Sequence, residues 1–250
     1  MRKSLRIKTR LRNSACLALL LTAPAIAAET TAWNYGAGAN NDEGWGELSP
    51  EFASCEIGTS QSPIAITFTK IADLPPLKFD YTDTQANIAM RDHTLTVNLE
   101  NPGTLTIGKD NYHLTQIRFH SPSEHPIRDE DYPLEIHLIH RNEKGQILIV
   151  AIMAQFGEEN PALSAILAHM KDPTASSTLN PKSLLPQTPG YFSYTGSLTW
   201  PPCTEGVEWR ILKTPITMSL EQFQPLVKYL QRNARLPQPV YMRTVLESKD

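Results

Sequence analysis

Beyond its first thirty residues the chain has no apolar run long enough to cross a bilayer, no internal repeat, no low-complexity tract and no block of like charge. A spanning helix needs about 20 consecutive apolar residues, so no membrane span is expected in that part. The lack of a repeat removes solenoid architectures. Cysteine is scarce, at three in 250 residues. Cys16 lies in an N-terminal segment treated separately below, and Cys55 and Cys203 are too few for a structural zinc knuckle. Two cysteines in an exported chain favour a disulfide, the other reading being two free buried thiols. Such a bridge would close a loop of about 150 residues, rated at about 5 kcal/mol in the chain-entropy model before any strain.

The N-terminal segment is the exception to this even texture. It carries six basic and no acidic residues up to Asn13, then the apolar run ACLALLL and the small-residue exit Ala25-Ile26-Ala27. That is the layout of a secretory signal peptide cleaved after Ala27, and the run is too short for a membrane anchor. Residues 1–27 are therefore read as a signal peptide and 28–250 as one domain, secreted or periplasmic. Without the leader, basic residues are also in short supply: 17 remain against 26 acidic, a net charge of −9. An acidic surface argues against nucleic acid and anionic membrane as partners.

What is present is a series of short alternating segments: HTLTVNL (93–99), TLTIGKDNYHLTQIRFH (104–120), LEIHLIHR (134–141) and QILIVAIMAQF (146–156). Turn chemistry separates them, and the last, apolar almost throughout, reads as a central strand buried on both faces. Helical spacing is convincing only near 160–172 and 219–231, the second starting at an N-cap Ser219. The fold class expected is mainly β with peripheral helices, a single domain around a large, mostly antiparallel, twisted central sheet.

Within QIRFHSPSEH (116–125) the residues Gln116, Arg118 and His120 share one face of a strand, and Glu135, His137 and Ile139 would share the matching face of an antiparallel neighbour. An H-x-H strand facing an E-x-H strand would supply three zinc ligands, with carboxylate and amide partners two residues away. Here the first of those histidines is Arg118. His113 has the opposite parity, and His125 and His140 read as structural.

Taken together, WNYG (33–36), QSPIAI (61–66), QIRFHSPSEH, LEIHLIH (134–140), GSLTWPPCTEGVEWRIL (196–212) and NARLPQP (233–239) resemble the α-class carbonic anhydrases over nearly the whole chain after the leader, and in particular the family's carbonic anhydrase-related members that lack zinc histidines. The resemblance implies a carbonate dehydratase (lyase) scaffold. It places His120 and His137 on the second and third zinc ligands, Gln116 and Glu135 behind them, Thr199 on the gatekeeper hydroxyl with Glu124 as its acid, and His93 on the proton shuttle. Tyr35, Ile139, Ile149, Leu198 and Trp200 would line the pocket, and Cys55–Cys203 would be the disulfide of exported members. The implied cofactor is Zn²⁺ if any metal binds, and the implied partner a small molecule, carbon dioxide, bicarbonate or another anion.

Two departures set the expectation for function. A guanidinium stays protonated and has no lone pair for a metal, so Arg118 leaves the triad incomplete. Trp200 follows the gatekeeper where the family has a small polar residue, and should narrow the pocket. Buried, Arg118 would need an anionic partner, for which Glu124 and Glu135 are the candidates. The expectation is an exported carbonic anhydrase-like protein with hydration activity impaired or lost. The alternatives are an active zinc enzyme with an unusual site, or a module on the same scaffold that binds a ligand or a protein.

Overall fold

The protein is seen here as a computed structural model that describes residues 32–36, 41–172, 178–188 and 190–249. The signal-peptide reading, the cleavage point at Ala27 and Cys16 lie outside the described residues. Two short helices come first, α1 (Trp45–Leu48) and α2 (Ser54–Ile57), followed by strands β1 (Lys70–Ala72), β2 (Leu77–Tyr81), β3 (Thr84–Arg91), β4 (Thr94–Leu99), β5 (Gly103–Ile107), β6 (Asp110–His120), β7 (Leu134–Arg141) and β8 (Ile147–Phe156). Then come α3 (Pro161–Lys171), β9 (Thr178–Leu179), β10 (Tyr191–Ser197), β11 (Glu205–Leu212), β12 (Ile216–Met218), α4 (Leu220–Leu230) and β13 (Leu246–Ser248).

All thirteen of these strands join one sheet, whose main path runs β1-β13-β10-β11-β8-β7-β6-β4-β3-β9. Most neighbours are antiparallel, as the alternating segments and tight turns predict; β1–β13, β8–β11 and β8–β12 are parallel. The helices are peripheral. Asn160 caps α3 with its side-chain oxygen, and Ser219 and Gln222 form a reciprocal capping box on α4, each satisfying amides that a helix start leaves open.

β8 shows why a nearly continuous apolar run belongs in the middle of such a sheet. Leu148, Val150, Ile152 and Ala154 enter one core, and Ile149, Ala151 and Met153 enter the other, all of them buried. Each face of a strand needs its own apolar set when both are covered. The second core, with Ile139, Ile149, Trp209 and the partly buried Leu198 and Trp200, forms the wall of the site described next.

Strict pairing is interrupted in β10, between Gly196 and Ser197, and in β6. Between Leu114 and Gln116 the register with β7 shifts: Leu114 faces His140 and Gln116 faces Ile139, leaving Thr115 as an extra residue. Such a bulge reverses the side-chain alternation. Leu114 therefore joins the same core as Ile117 and Phe119. This corrects the parity argument for His113, which shares Arg118's side of the sheet. Five residues of strand at about 3.3 Å each put it about 16 Å away, exposed and out of reach.

Candidate functional site

The register of β6 on β7 aligns the two faces residue by residue: Gln116 opposite Ile139, Arg118 opposite His137, His120 opposite Glu135. His120, Glu124, Glu135, His137 and Thr199 are buried, and Arg118 is 6% exposed. The imidazole centroids of His120 and His137 are 4.5 Å apart.

Each imidazole is oriented by a bond on its outer side. His120 Nδ1 lies 2.9 Å from the carbonyl of Asn233, and His137 Nε2 lies 2.7 Å from Glu135 Oε1. Carbonyl and carboxylate only accept, so these nitrogens carry the protons. His120 Nε2 and His137 Nδ1 are both buried and without a partner in the protein. Burial depresses both pKa values, His120 the more strongly, keeping the rings neutral.

Glu135 is the hub behind His137. Its Oε2 accepts from the backbone N–H groups of Glu124 (2.7 Å) and His125 (2.9 Å), and its Oε1 takes the side chains of His125 and His137, each at 2.7 Å. Burial works against its ionisation, but His125 and His137 hold it well below the ordinary carboxylate range. The network continues through His125 Nε2 to Tyr194 (2.8 Å) and from Tyr194 to Ser62 (2.7 Å). Gly196 permits that packing, since a Cβ there would stand 2.0 Å from Ser62 Oγ.

Arg118 is held on several sides. Its Nε donates to Gln116 Oε1 at 2.7 Å and its Nη2 to Asp92 Oδ2 at 3.0 Å, while its guanidinium carbon lies 4.0 Å from the centroid of the Trp200 ring. Gln116 is turned for this by its own bond to Asn98 (2.8 Å). The anion that partners Arg118 is therefore Asp92, which corrects the expectation of Glu124 or Glu135. The reason is the hairpin turn between β3 and β4, where Asp92 and His93 both take positive φ and swing Asp92 back over the sheet. Burial lowers the arginine's pKa and Asp92 opposes that, leaving it charged.

The remaining predicted residues fall around this centre. Thr199 and Trp200 sit in the loop from β10 to β11, closed by Leu198 N–H to the Thr204 carbonyl (3.0 Å) and Cys203 N–H to the Trp200 carbonyl (2.9 Å). The Cys55–Cys203 disulfide pins the same loop to α2. Thr199 Oγ1 and Glu124 Oε2 are both buried without a well-formed bond, although the hydroxyl is near enough to ease the carboxylate. Burial and the Glu135 charge push Glu124 well above the usual range, while its Oε1 accepts from the Arg235 backbone at 2.9 Å. Tyr35 packs 6.4 Å from the His120 ring, and His93 is exposed against Trp33 (4.9 Å) and Tyr35 (6.4 Å). Asp92, Asn98 and Asn233 beside Arg118 and His120, and Tyr194, Ser62, Gly196 and Arg235 behind Glu135 and Glu124, are participants that sequence reasoning did not name.

As a metal centre the site is only partly suitable. Two neutral imidazole nitrogens fit zinc, while the Arg118 guanidinium across the strand from His137 has no lone pair to offer one. Two three-residue groups bring donor atoms within 4.8 Å of one another, His120–Glu124–His137 and His125–Glu135–His137. The second is already consumed by its internal hydrogen bonds. Among the described residues no helix is long and apolar enough to cross a membrane.

Comparison with known proteins gives a consistent result. Residues 40–249 match the family model for eukaryotic-type carbonic anhydrase. A carbonic anhydrase of Neisseria gonorrhoeae is 37% identical over 244 residues, covering 94% of this chain and 96% of that protein. The α-carbonic anhydrase of Photobacterium profundum superposes with a TM-score of 0.79 at 38% identity, over 86% of this chain and all of its own. Dioscorin, solved in complex with ascorbate, superposes with a TM-score of 0.80 at 31% identity, over 86% of this chain and 97% of its own.

Proposed function

The chain belongs to the eukaryotic-type (alpha) carbonic anhydrase family, and from that premise we propose that it is an exported member whose zinc-dependent hydration of carbon dioxide is impaired or lost, because Arg118 takes the position of the first zinc histidine. One observation carries this reading: the cross-strand neighbour of His137 is a buried guanidinium fixed by Gln116, Asp92 and Trp200. A protonated guanidinium offers no lone pair and repels a dication placed beside it. Zinc lowers the pKa of its bound water from that of bulk water to about 7, a change equivalent to about 12 kcal/mol. Nothing else in the pocket carries a comparable field. In this reading Thr199, Glu124 and His93 no longer serve a hydroxide and persist as parts of a binding pocket. Export is supported by the leader pattern of residues 1–27 and by the disulfide, which suits an oxidising compartment.

The test is carbon dioxide hydration by the parent protein and by Arg118→His, each with excess zinc. A silent parent and an active variant uphold the proposal. A parent running well above the uncatalysed rate overturns it. Silence in both assigns a second block to Trp200.

A second reading has its own support in the proximity of the His120, Glu124 and His137 donor atoms. There a carboxylate completes a two-histidine zinc site and the protein is an active enzyme. Stoichiometric zinc in the parent as purified decides for it.

A further inference from the structure

The two departures from the family pattern, Arg118 and Trp200, meet in the structure. The guanidinium carbon of Arg118 stands 4.0 Å from the centroid of the Trp200 ring, a favourable pairing of a cation with an aromatic face. The arginine is held in that place from behind. Gln116 donates to Asn98 Oδ1 (2.8 Å), which turns Gln116 Oε1 to accept from Arg118 Nε (2.7 Å), and Asp92 Oδ2 accepts from Nη2 (3.0 Å). Asp92 belongs to the β3–β4 turn and Trp200 to the loop between β10 and β11, while β6 is separated from β10 in the sheet by β7, β8 and β11. One side chain therefore ties together three parts of the chain that the strand ladder leaves apart.

That tie adjoins the groups that water does not reach. Side-chain exposure falls stepwise from 54% at Asp92 to 8% at Arg118 and to none at His137, the cross-strand neighbour of Arg118. Thr199 immediately precedes Trp200. His120 Nε2, His137 Nδ1 and Thr199 Oγ1 have no partner in the protein and no contact with solvent. Keeping unpaired polar atoms away from water costs free energy, so the cover over them needs contacts of its own to stay closed.

We propose that Asp92, Arg118 and Trp200 form a latch that holds the β10–β11 loop down over His120 and His137 and keeps small molecules from reaching them. The latch makes the two departures a single device, and it rests on the reading that Arg118 stands in a ligand's place.

The histidines themselves report on it. His120 and His137 direct their protons to the Asn233 carbonyl and to Glu135, so each keeps a lone pair on its unpartnered nitrogen, the form that diethyl pyrocarbonate acylates. His125 and His140 have both ring nitrogens hydrogen-bonded and report unfolding, while the exposed His93 and His113 react throughout. The experiment maps modification by this reagent, residue by residue with mass spectrometry, on the full chain and on Arg118→Met, Trp200→Ala, their double variant and Asp92→Gly. His120 and His137 of the parent should be as slow as His140. Each core variant should speed both about tenfold, the population change expected from losing one partly buried cation–π contact, with His125 and His140 unchanged. The double variant should add little to either single one, because a latch opened at one point is open. Asp92→Gly, which suits the positive φ at this position, should give about threefold, in keeping with a half-exposed ion pair. Unchanged reactivity at His120 and His137, or a double variant that multiplies the two single effects, overturns the proposal. Asp92→Gly alters only a half-exposed side chain, so its result decides even where a core variant unfolds and exposes His140. Stoichiometric zinc and carbon dioxide hydration in the parent would overturn the reading of Arg118 beneath the latch, whereas unchanged reactivity in an inactive, zinc-free protein overturns the latch alone.

Discussion

Glu135 divides two regions of opposite character. Behind it, His125, Tyr194, Ser62 and the amides of Glu124 and His125 form a buried network in which every member has a partner. In front of it, Arg118, His120, His137 and Thr199 each leave one polar atom unpaired. Burying an unpaired polar atom costs about 1–3 kcal/mol, so chance would not collect them in one place. The closed network holds the scaffold in shape, while the open set keeps polar atoms that no other protein group uses.

The largest expected effect turns the open side into a metal site. Arg118→His should gain about 4 kcal/mol of stability with zinc at a thousand times its dissociation constant, while the parent gains none; melting temperature against zinc concentration checks this. An equal gain in the parent would erase the contrast. On the closed side, Glu135→Gln should cost about 3 kcal/mol in urea unfolding, because it removes a buried charge that two histidines and two amides depend on.

A histidine on the opposite face sharpens the same point. His140 is fully satisfied by Tyr81 (2.6 Å) and the Leu148 carbonyl (3.2 Å), and burial lowers its pKa to about 4. The unfolded chain takes up the proton near pH 6.5 and the folded one only near 4, so stability is intact above 6.5 and falls as pH drops through that window. The shift corresponds to about 3 kcal/mol, and unfolding of the parent and His140→Gln across pH 7 to 4 should show a shallower slope in the variant. The smallest effect belongs to the open side again. Thr199→Val removes a hydroxyl with no good partner and should change stability by less than about 0.5 kcal/mol; a loss above about 1.5 kcal/mol would place Thr199 in the closed network.

Much of this was legible beforehand. The apolar run at 147–156, the alternation of 134–141, the helical spacing near 160–172 and the capping signal at Ser219 have local causes, and the structure follows them. That Arg118 and His137 share one side of the sheet follows from period-two alternation, whereas their direct pairing is fixed by the register of β6 on β7. The bulge at Thr115 does not, because an inserted residue in one strand shows only against its partner. Asp92 was missed because it reaches Arg118 across 26 residues through a left-handed turn. Asn233 acts on His120 through its backbone carbonyl, a group every residue carries and no side chain announces.

The disulfide has one more consequence. Its ends lie 148 residues apart, and β1 to β10 all fall between them. A protease that nicks any loop in that interval produces two pieces still joined by a covalent link. They should migrate as one band without reductant and as two with it, so a cut chain can outlast its cleavage for as long as its surroundings stay oxidising.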